Sequence, residues 1–142
     1  MAQKLQRRQS RENAFLVLFS SAFGGENLQE SIALSREVDE YALDDFGEKT
    51  VLDYQVHAKE IDALIGERLQ GWTFGRLPKV SLALLRVAVS EILYGEEKLP
   101  SVTINEVVEL AKKYGDENDY QFINGLLGKL VKDLGLAQQT QC

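Results

Sequence analysis

Basic side chains near the start of the sequence are the first residues whose types and spacing could do chemistry. Residues 1–11 contain four bases and no acid, a local charge of +4: Lys4, Arg7, Arg8 and Arg11. The three arginines fall on one side of a helical start, because residues three and four apart share a helix face. Guanidinium forks in this arrangement can bind successive phosphates. The segment predicts a phosphate-binding surface, although it also fits a solubilising terminal segment.

A second candidate site lies where two predicted helices meet. Tyr114 ends one helix, and Phe122 lies in the first turns of the next, adjacent to its core face. Half-exposed rings beside Lys112 and Lys113 would stack unpaired bases next to ammonium groups that bind phosphate. Their spacing also fits the simpler interpretation that both rings pack in the core.

Most enzyme mechanisms lack their residues in this sequence. The chain has one histidine, His57, and one cysteine, Cys142, so zinc clusters, Cys–His nucleophiles and Ser-His-Asp triads have too few members. The sequence also has no phosphate-binding glycine loop, metal-ligand spacing or nucleotide fingerprint. We therefore expect no catalytic residue, no metal and no cofactor, and we interpret His57 as a packing or solvated side chain.

Composition describes a single globular domain. The 142 residues are 44% hydrophobic and 27% charged, with a net charge of -6 that by itself argues against a nucleic-acid partner. The charge is unevenly spread, because residues 26–67 hold twelve acids and three bases, a local charge of -9. An acidic surface there would direct RNA to the basic end. We expect a cytoplasmic protein, because a lone terminal cysteine has no partner within the chain and no apolar run is long enough to span a membrane.

Hydrophobic periodicity predicts an all-α protein of about seven helices. We expect helices over residues 7–23, 28–46, 51–71, 78–94, 104–114 and 117–134, with the helix around residues 82–93 central and buried. The domain would cover residues 1–142, with subdomains of about 1–75 and 76–136 and a frayed tail at 137–142.

Two local patterns make sharper predictions. Thr103 and Glu106 have the spacing of a capping box, so the helix that contains Glu106 should begin at Ile104. Gly125 and Gly128 lie inside the last helix, where each costs about 1 kcal/mol relative to alanine. We expect a neighbouring helix to approach closely over their missing side chains.

Three segments resemble the bacterial transcription antitermination factor NusB family. Residues 7–14 (RRQSRENA) resemble the arginine-rich opening of that family, residues 104–115 (INEVVELAKKYG) its penultimate helix, and residues 122–127 (FINGLL) its last-helix signature. The resemblance implies two three-helix bundles packed into one domain. It also implies a non-enzymatic protein that binds single-stranded boxA RNA with the ribosomal protein that acts as NusE, in an RNA polymerase antitermination complex that reads through ribosomal RNA operons.

The resemblance also carries residue roles, each matched by position. The sequence departs from the family pattern at two places. Position 118 is often acidic in the family and is Asn118 here. On the NusE-binding face near Phe19, the family usually has an acidic or acidic-basic pair where this chain has Ser81-Leu82. The implied phosphate contacts are Arg7, Arg8, Arg11 and Lys4; the implied base contacts are Tyr114, Asn118 and Phe122; the implied partner-binding residues are Phe19, Ser81 and Leu82.

Two other functions remain open at this point. Similar helical domains precede certain RNA cytosine methyltransferases, so the chain could be a detached RNA-binding accessory domain of such an enzyme. It could instead be a self-associating helical scaffold, with a homodimer formed through Phe15, Phe19 and Phe23 if those rings are exposed.

Overall fold

The computed structural model describes residues 6–24, 43–71, 73–96 and 98–136. All regular secondary structure within these ranges is helical, which confirms the all-α prediction. The described ranges hold six α-helices rather than about seven, and the helix expected over residues 28–46 lies mostly outside them. The helices are α1 (Arg7–Gly24), α2 (Asp45–Val56), α3 (Ala58–Gly66), α4 (Lys79–Tyr94), α5 (Pro100–Tyr114) and α6 (Glu117–Asp133), with a 3-10 turn at Phe74–Arg76 before α4.

Helix α4 is the centre of the fold, as its composition predicts. It packs against α1, α2, α3, α5 and α6. Between Ser81 and Ile92, Arg86 is the only residue that is not buried, and most side chains in that stretch are apolar. Burying a helix on all sides requires neighbours on all sides, so α4 joins the N-terminal helices to α5 and α6 in one core.

The start of α2 differs from the prediction. Gly47 was expected to end a helix, but α2 begins at Asp45 and continues through it. Asp44 caps this start, because its Oδ1 accepts the Gly47 amide at 2.9 Å while its Oδ2 accepts the Ser10 hydroxyl at 2.6 Å. A Cβ at Gly47 would lie 3.3 Å from the Ser10 carbonyl oxygen, so the glycine allows α1 to approach closely.

The single helix expected over residues 51–71 is divided in two. Helix α2 ends at Val56, His57 has φ -111 and ψ 25, and α3 begins at Ala58. The imidazole ring of His57 stacks on the ring of Tyr94, with centroids 3.8 Å apart and planes 9° apart. The apolar residues keep their spacing of three and four across this break in the helix, because α2 and α3 both pack against α4.

The predicted capping box at Thr103 and Glu106 is wrong. Helix α5 begins at Pro100, four residues earlier than expected, and its N-cap Leu99 makes no side-chain hydrogen bond. The side chains of Thr103 and Glu106 are used in contacts with other helices. A capping box does occur at α6, where Asp116 and Asp119 each accept a backbone amide of the other.

The explanation expected for Gly125 and Gly128 is also wrong. A Cβ built on either glycine meets no heavy atom within 4 Å, apart from the excluded local neighbours, and both residues are exposed. Packing among the described residues therefore does not offset the cost of two glycines in a helix interior.

Candidate nucleic-acid interface

Arg11 is buried in the core and does not reach the surface. Its Nε and Nη2 donate to the two carboxylate oxygens of Glu91 at 2.8 and 2.6 Å, and its side chain is only 5% exposed. The hydroxyl of Thr103 donates to Glu91 Oε2 at 2.7 Å. This buried triad joins α1, α4 and α5. The expectation that Arg11 offers its guanidinium to phosphate is corrected, because Glu91 occupies the donors that a phosphate would need.

Arg8 makes the same forked contact at the surface. Its Nε and Nη2 donate to Oε1 and Oε2 of Glu106 at 2.9 and 3.1 Å. Glu106 is mostly covered, but the Arg8 side chain is 71% exposed. Since the pair uses one edge of the guanidinium, the other edge faces solvent with its N–H donors.

Arg7 turns toward α2. Its guanidinium carbon lies 4.0 Å from the centroid of the Phe46 ring, a cation–π contact, and the residue is exposed. The guanidinium of Arg11 also lies over Phe46, at 5.4 Å, while Arg8 pairs with Glu106, so the three arginines do not form one row. Lys4 lies outside the described residues.

A second link between α1 and α5 is centred on Glu12. Its Oε2 accepts a hydrogen bond from Lys113 Nζ at 2.6 Å and another from the Tyr114 hydroxyl. The Tyr114 ring packs on the buried ring of Phe15, with centroids 5.1 Å apart, and the residue is 37% exposed. One face of Tyr114 is thus held in place while part of the ring remains accessible.

The line of contacts from Arg8–Glu106 to Glu12–Lys113–Tyr114 is called the α1–α5 seam. Contact positions rise together in the two helices, so α1 and α5 run in the same direction along it. Arg8 and Glu12 are about 6 Å apart along the helix axis. The seam therefore presents two cations and one aromatic ring within a short distance.

The acids of the seam are held in their charged forms. The hydrogen bond from Arg8 lowers the pKa of Glu106, and Glu106 in turn raises the pKa of Arg8. Partial burial opposes ionisation of Glu12, but hydrogen bonds from Lys113 and Tyr114 outweigh it and lower its pKa. The hydrogen bond to Glu12 raises the pKa of Lys113. Both cations stay fully charged at neutral pH.

The other predicted base contacts lie on α6. Asn118 is exposed and Phe122 is half-buried, and they are one helical turn apart on the same face. Phe122 lines a surface groove together with Lys129 of the same helix and Arg68 of the segment after α3.

Comparison with known proteins assigns the chain to a family. The sequence pattern of the NusB family matches residues 8–132. The chain belongs to the NusB family. The transcription antitermination protein NusB of Exiguobacterium sp. is 38% identical over 129 residues, which cover 91% of this chain and 99% of that relative. The NusB of Listeria monocytogenes is 37% identical, with 91% and 98% covered.

Solved NusB structures share the fold. A chain in the crystal structure of antitermination factors NusB and NusE in complex with dsRNA has a TM-score of 0.80 and 32% identity, over 89% of this chain and 96% of that one. NusB of T. maritima has a TM-score of 0.80 and 32% identity, over 92% and 94%. A chain in the crystal structure of a plectonemic RNA supercoil has a TM-score of 0.83 and 32% identity, over 93% and 98%.

The partner-binding residues expected from the NusB pattern are mostly covered in this member of the family. Ser81 is 0% and Leu82 6% exposed, so neither contributes an open surface, whereas Phe19 is half-buried. Their part in binding the partner stays a prediction. Both residues belong to the buried stretch of α4, which is covered by helices on all sides.

The patch of phenylalanines suggested for a homodimer loses a member. Phe15 is fully buried and contacts the rings of Phe19 and Tyr114. The side chain of Phe23 lies outside the described residues. Phe15 therefore cannot be one of three exposed rings in a homodimer interface, because its ring is buried.

Sequence reasoning missed the acids that orient the candidate site. Glu12, Glu91 and Glu106 each hold one or more of the predicted functional side chains, and none was singled out for that role. Arg8 and Glu106 are 98 positions apart. No local spacing could have paired them.

Two further observations apply to the described part of the NusB chain. None of its helices is long and apolar enough to cross a membrane. No group of three or more His, Cys, Asp or Glu side chains in those ranges is arranged to hold a metal ion.

Proposed function

We propose that this chain binds boxA-type single-stranded RNA along the α1–α5 seam, as a non-catalytic subunit of a transcription antitermination complex. The curated NusB relatives are named transcription antitermination proteins, and they match this chain over most of its length. The observation that carries the RNA-binding role is the Arg8–Glu106 pair. It holds a guanidinium in one orientation with its second edge open to solvent.

Glu106 orients the Arg8 guanidinium without using all of its hydrogen-bond donors. A lone surface arginine loses side-chain entropy when it binds a phosphate, and a fixed fork has already lost most of that freedom. The donors not used by Glu106 remain available for a phosphate oxygen. We therefore assign Arg8 to phosphate contact and Glu106 to its positioning.

Lys113 and Tyr114 form the second part of the proposed RNA path. The Lys113 side chain is 60% exposed, although Glu12 accepts one of its hydrogen bonds. An ammonium group has three donors, so two of them remain for phosphate. The exposed part of the Tyr114 ring offers a base a stacking platform, and base stacking on aromatic rings is tolerant of sequence.

Arg11 has a different role in this proposal. We assign it to holding α1 against α4 and α5, which keeps Arg8 in register with Glu106. Arg7 remains a proposed phosphate contact on the α2 side of the helix start, and Lys4 is proposed as a further one. Asn118 and Phe122 extend the base-binding surface along α6.

The proposed protein partner is the ribosomal protein that acts as NusE. A structural neighbour of this chain, related at 32% identity, is NusB in complex with NusE and dsRNA. Phe19 remains a candidate contact because its ring is half-buried rather than buried. The burial of Ser81 and Leu82 means that other residues of the NusE face would have to supply the polar contacts.

RNA binding along the seam can be tested by fluorescence anisotropy with a boxA-type single strand at two salt concentrations. Wild-type affinity should fall as salt rises, because bound RNA releases counterions. Arg8→Gln should weaken binding and reduce the salt slope by about 1. Glu106→Gln should also weaken binding, although it makes the chain more positive.

The control variant and the contrary outcomes are defined by the same mechanism. Lys59→Gln removes an exposed charge of α3 outside the seam and should change affinity less than Arg8→Gln. A tighter complex for Glu106→Gln would mean that Glu106 masks Arg8. Equal binding of wild type and Arg8→Gln would overturn the seam as the RNA site. A duplex of the same sequence should bind more weakly, because its bases are not free to stack.

A further inference from the structure

A groove opens beside α6, next to the base contacts already proposed. Its volume is about 350 Å³, within the range of small-molecule sites. It lies between α6 and the segment after α3. The lining residues used in the argument are Arg68, Gln70, Gln121, Phe122, Gly125 and Lys129.

The groove continues the face that carries Asn118 and Phe122. Along α6, Asn118, Phe122, Gly125 and Lys129 are spaced four, three and four residues apart, so they form one straight stripe. A strand that stacks on Phe122 and continues in the same direction would next meet Gly125. The groove is therefore an extension of one surface and not a separate cavity.

Packing among the described residues does not explain Gly125. A Cβ at this position would meet no heavy atom within 4 Å beyond its local neighbours, and the residue is exposed. A glycine in a helix interior weakens that helix, and such a glycine commonly has a packing or functional reason. In the described part of the chain no element packs over it, so the described residues leave space for a ligand at this position.

Arg68, at one wall of the groove, has a side-chain donor whose acceptor is not among the described residues. Its side chain is 9% exposed, and its Nη atoms are used by the Leu64 carbonyl, Glu67 and Asp133. Its Nε, also buried, has no hydrogen-bond acceptor in the described part of the chain. A buried donor without an acceptor is costly.

The charges of the groove favour a base over a free anion. Asp133 lies 3.2 Å from Arg68 Nη2 and 3.6 Å from Lys129 Nζ, so both cations are partly neutralised where they stand. The side-chain amides of Gln70 and Gln121 offer donors and acceptors together, which suits the edge of a nucleobase. Phe122 offers a ring at the groove wall for stacking.

We propose that this groove, which is lined by Gly125, binds a nucleobase of single-stranded RNA. This base would follow the base that stacks on Phe122. The inference rests on the proposed RNA-binding function and adds a subsite to it. Gly125 lets the base approach the backbone of α6, and the two glutamine amides meet its polar atoms. Lys129, at the far end of the stripe, faces the following phosphate.

The test fills the groove floor without disturbing the free protein. Gly125→Leu places a side chain in the groove, and Gly128→Leu is the matched control, because it is an equally open glycine of α6 that does not line the groove. Both variants should have thermal midpoints at or above the wild-type value, because leucine favours helix. Gly125→Leu should bind boxA-type RNA about 5- to 150-fold more weakly, the loss of one stacked base.

The RNA itself locates the subsite. Shortening the RNA one nucleotide at a time from each end should, at one length, weaken wild-type binding and abolish the difference between wild type and Gly125→Leu. Gln70→Ala should show a smaller loss at the same nucleotide. Inorganic phosphate at the concentration of the salt control should not compete at the groove.

The outcomes separate the subsite from the function on which it rests. If Gly125→Leu binds RNA as tightly as Gly128→Leu while Arg8→Gln is weakened, the subsite is overturned and the seam stands. If the wild type binds no single-stranded RNA, both are overturned. If Gly125→Leu does not fold, Gly125→Ala and Gln70→Ala decide by the same comparison, and unchanged affinity in both overturns the subsite.

Discussion

Two arginines of α1, three residues apart, make the same contact in opposite surroundings. Arg11 and Glu91 form a fork with distances of 2.8 and 2.6 Å, and the Arg11 side chain is 5% exposed. Arg8 and Glu106 form a fork with distances of 2.9 and 3.1 Å, and the Arg8 side chain is 71% exposed. Geometry alone does not distinguish them.

The surroundings decide what each pair does. Removing one member of a buried pair leaves an uncompensated charge where water cannot reach it, so the pair is required for folding. An exposed pair contributes little to stability because water and salt screen it. Its value is that it holds one guanidinium ready for another ligand. The NusB chain therefore uses one arginine pattern both to fasten a helix and to present a binding surface.

The largest expected effect comes from breaking the buried pair. Arg11→Met should reduce the free energy of unfolding by about 3–5 kcal/mol, because Glu91 would remain buried without its partner. The measurement is urea unfolding followed by circular dichroism. Arg8→Met is the matched control and should leave the unfolding midpoint unchanged within error. Equal losses for both variants would contradict the distinction between the pairs.

An intermediate effect is expected for the third member of the buried triad. Thr103→Val removes the hydroxyl that donates to Glu91 at 2.7 Å and keeps the shape of the side chain. Losing a hydrogen bond to a buried charge should cost about 1.5–3 kcal/mol in the same unfolding experiment. The neighbouring Val102→Thr, at an exposed position, should have no comparable effect. A neutral Thr103→Val would show that Arg11 alone satisfies Glu91.

The smallest effect is expected from acid titration of the seam. The folded-state pKa values of Glu12 and Glu106 are lower than the usual 4.5, so their contribution to stability is present above that pH. It is lost as the pH falls through the lowered values. Urea midpoints between pH 7 and about 3 should therefore fall less steeply in Glu106→Gln than in wild type. Identical slopes would show that the exposed pair contributes no pH-dependent stability.

Much of the fold could be predicted from local sequence. The glycines at 95 and 115, the acids at the start of α6 and the apolar circumference of α4 indicate helices close to those observed. The errors at the starts of α2 and α5 share a cause. Asp44, Thr103 and Glu106 have side chains that can cap a helix or make a tertiary contact, and spacing cannot tell these uses apart.

The candidate site was predictable in composition and not in arrangement. The basic start of α1 and the aromatic junction of α5 and α6 were both indicated by residue type. Their supporting acids were not, because Arg11 and Glu91 are 80 positions apart and Lys113 and Glu12 are 101 apart. A pairing over such a separation leaves no periodic signal in one sequence.

The sequence by itself determined that this chain is helical, that α4 is buried and that positive charge is concentrated in residues 1–11. These properties depend on residue type and on spacings of three and four, which act within a single helix. Tertiary structure alone decided that Arg11 is buried while Arg8 is exposed, and that Gly125 lines an open groove. Burial depends on which helices surround a side chain, and that is set only when distant segments pack together.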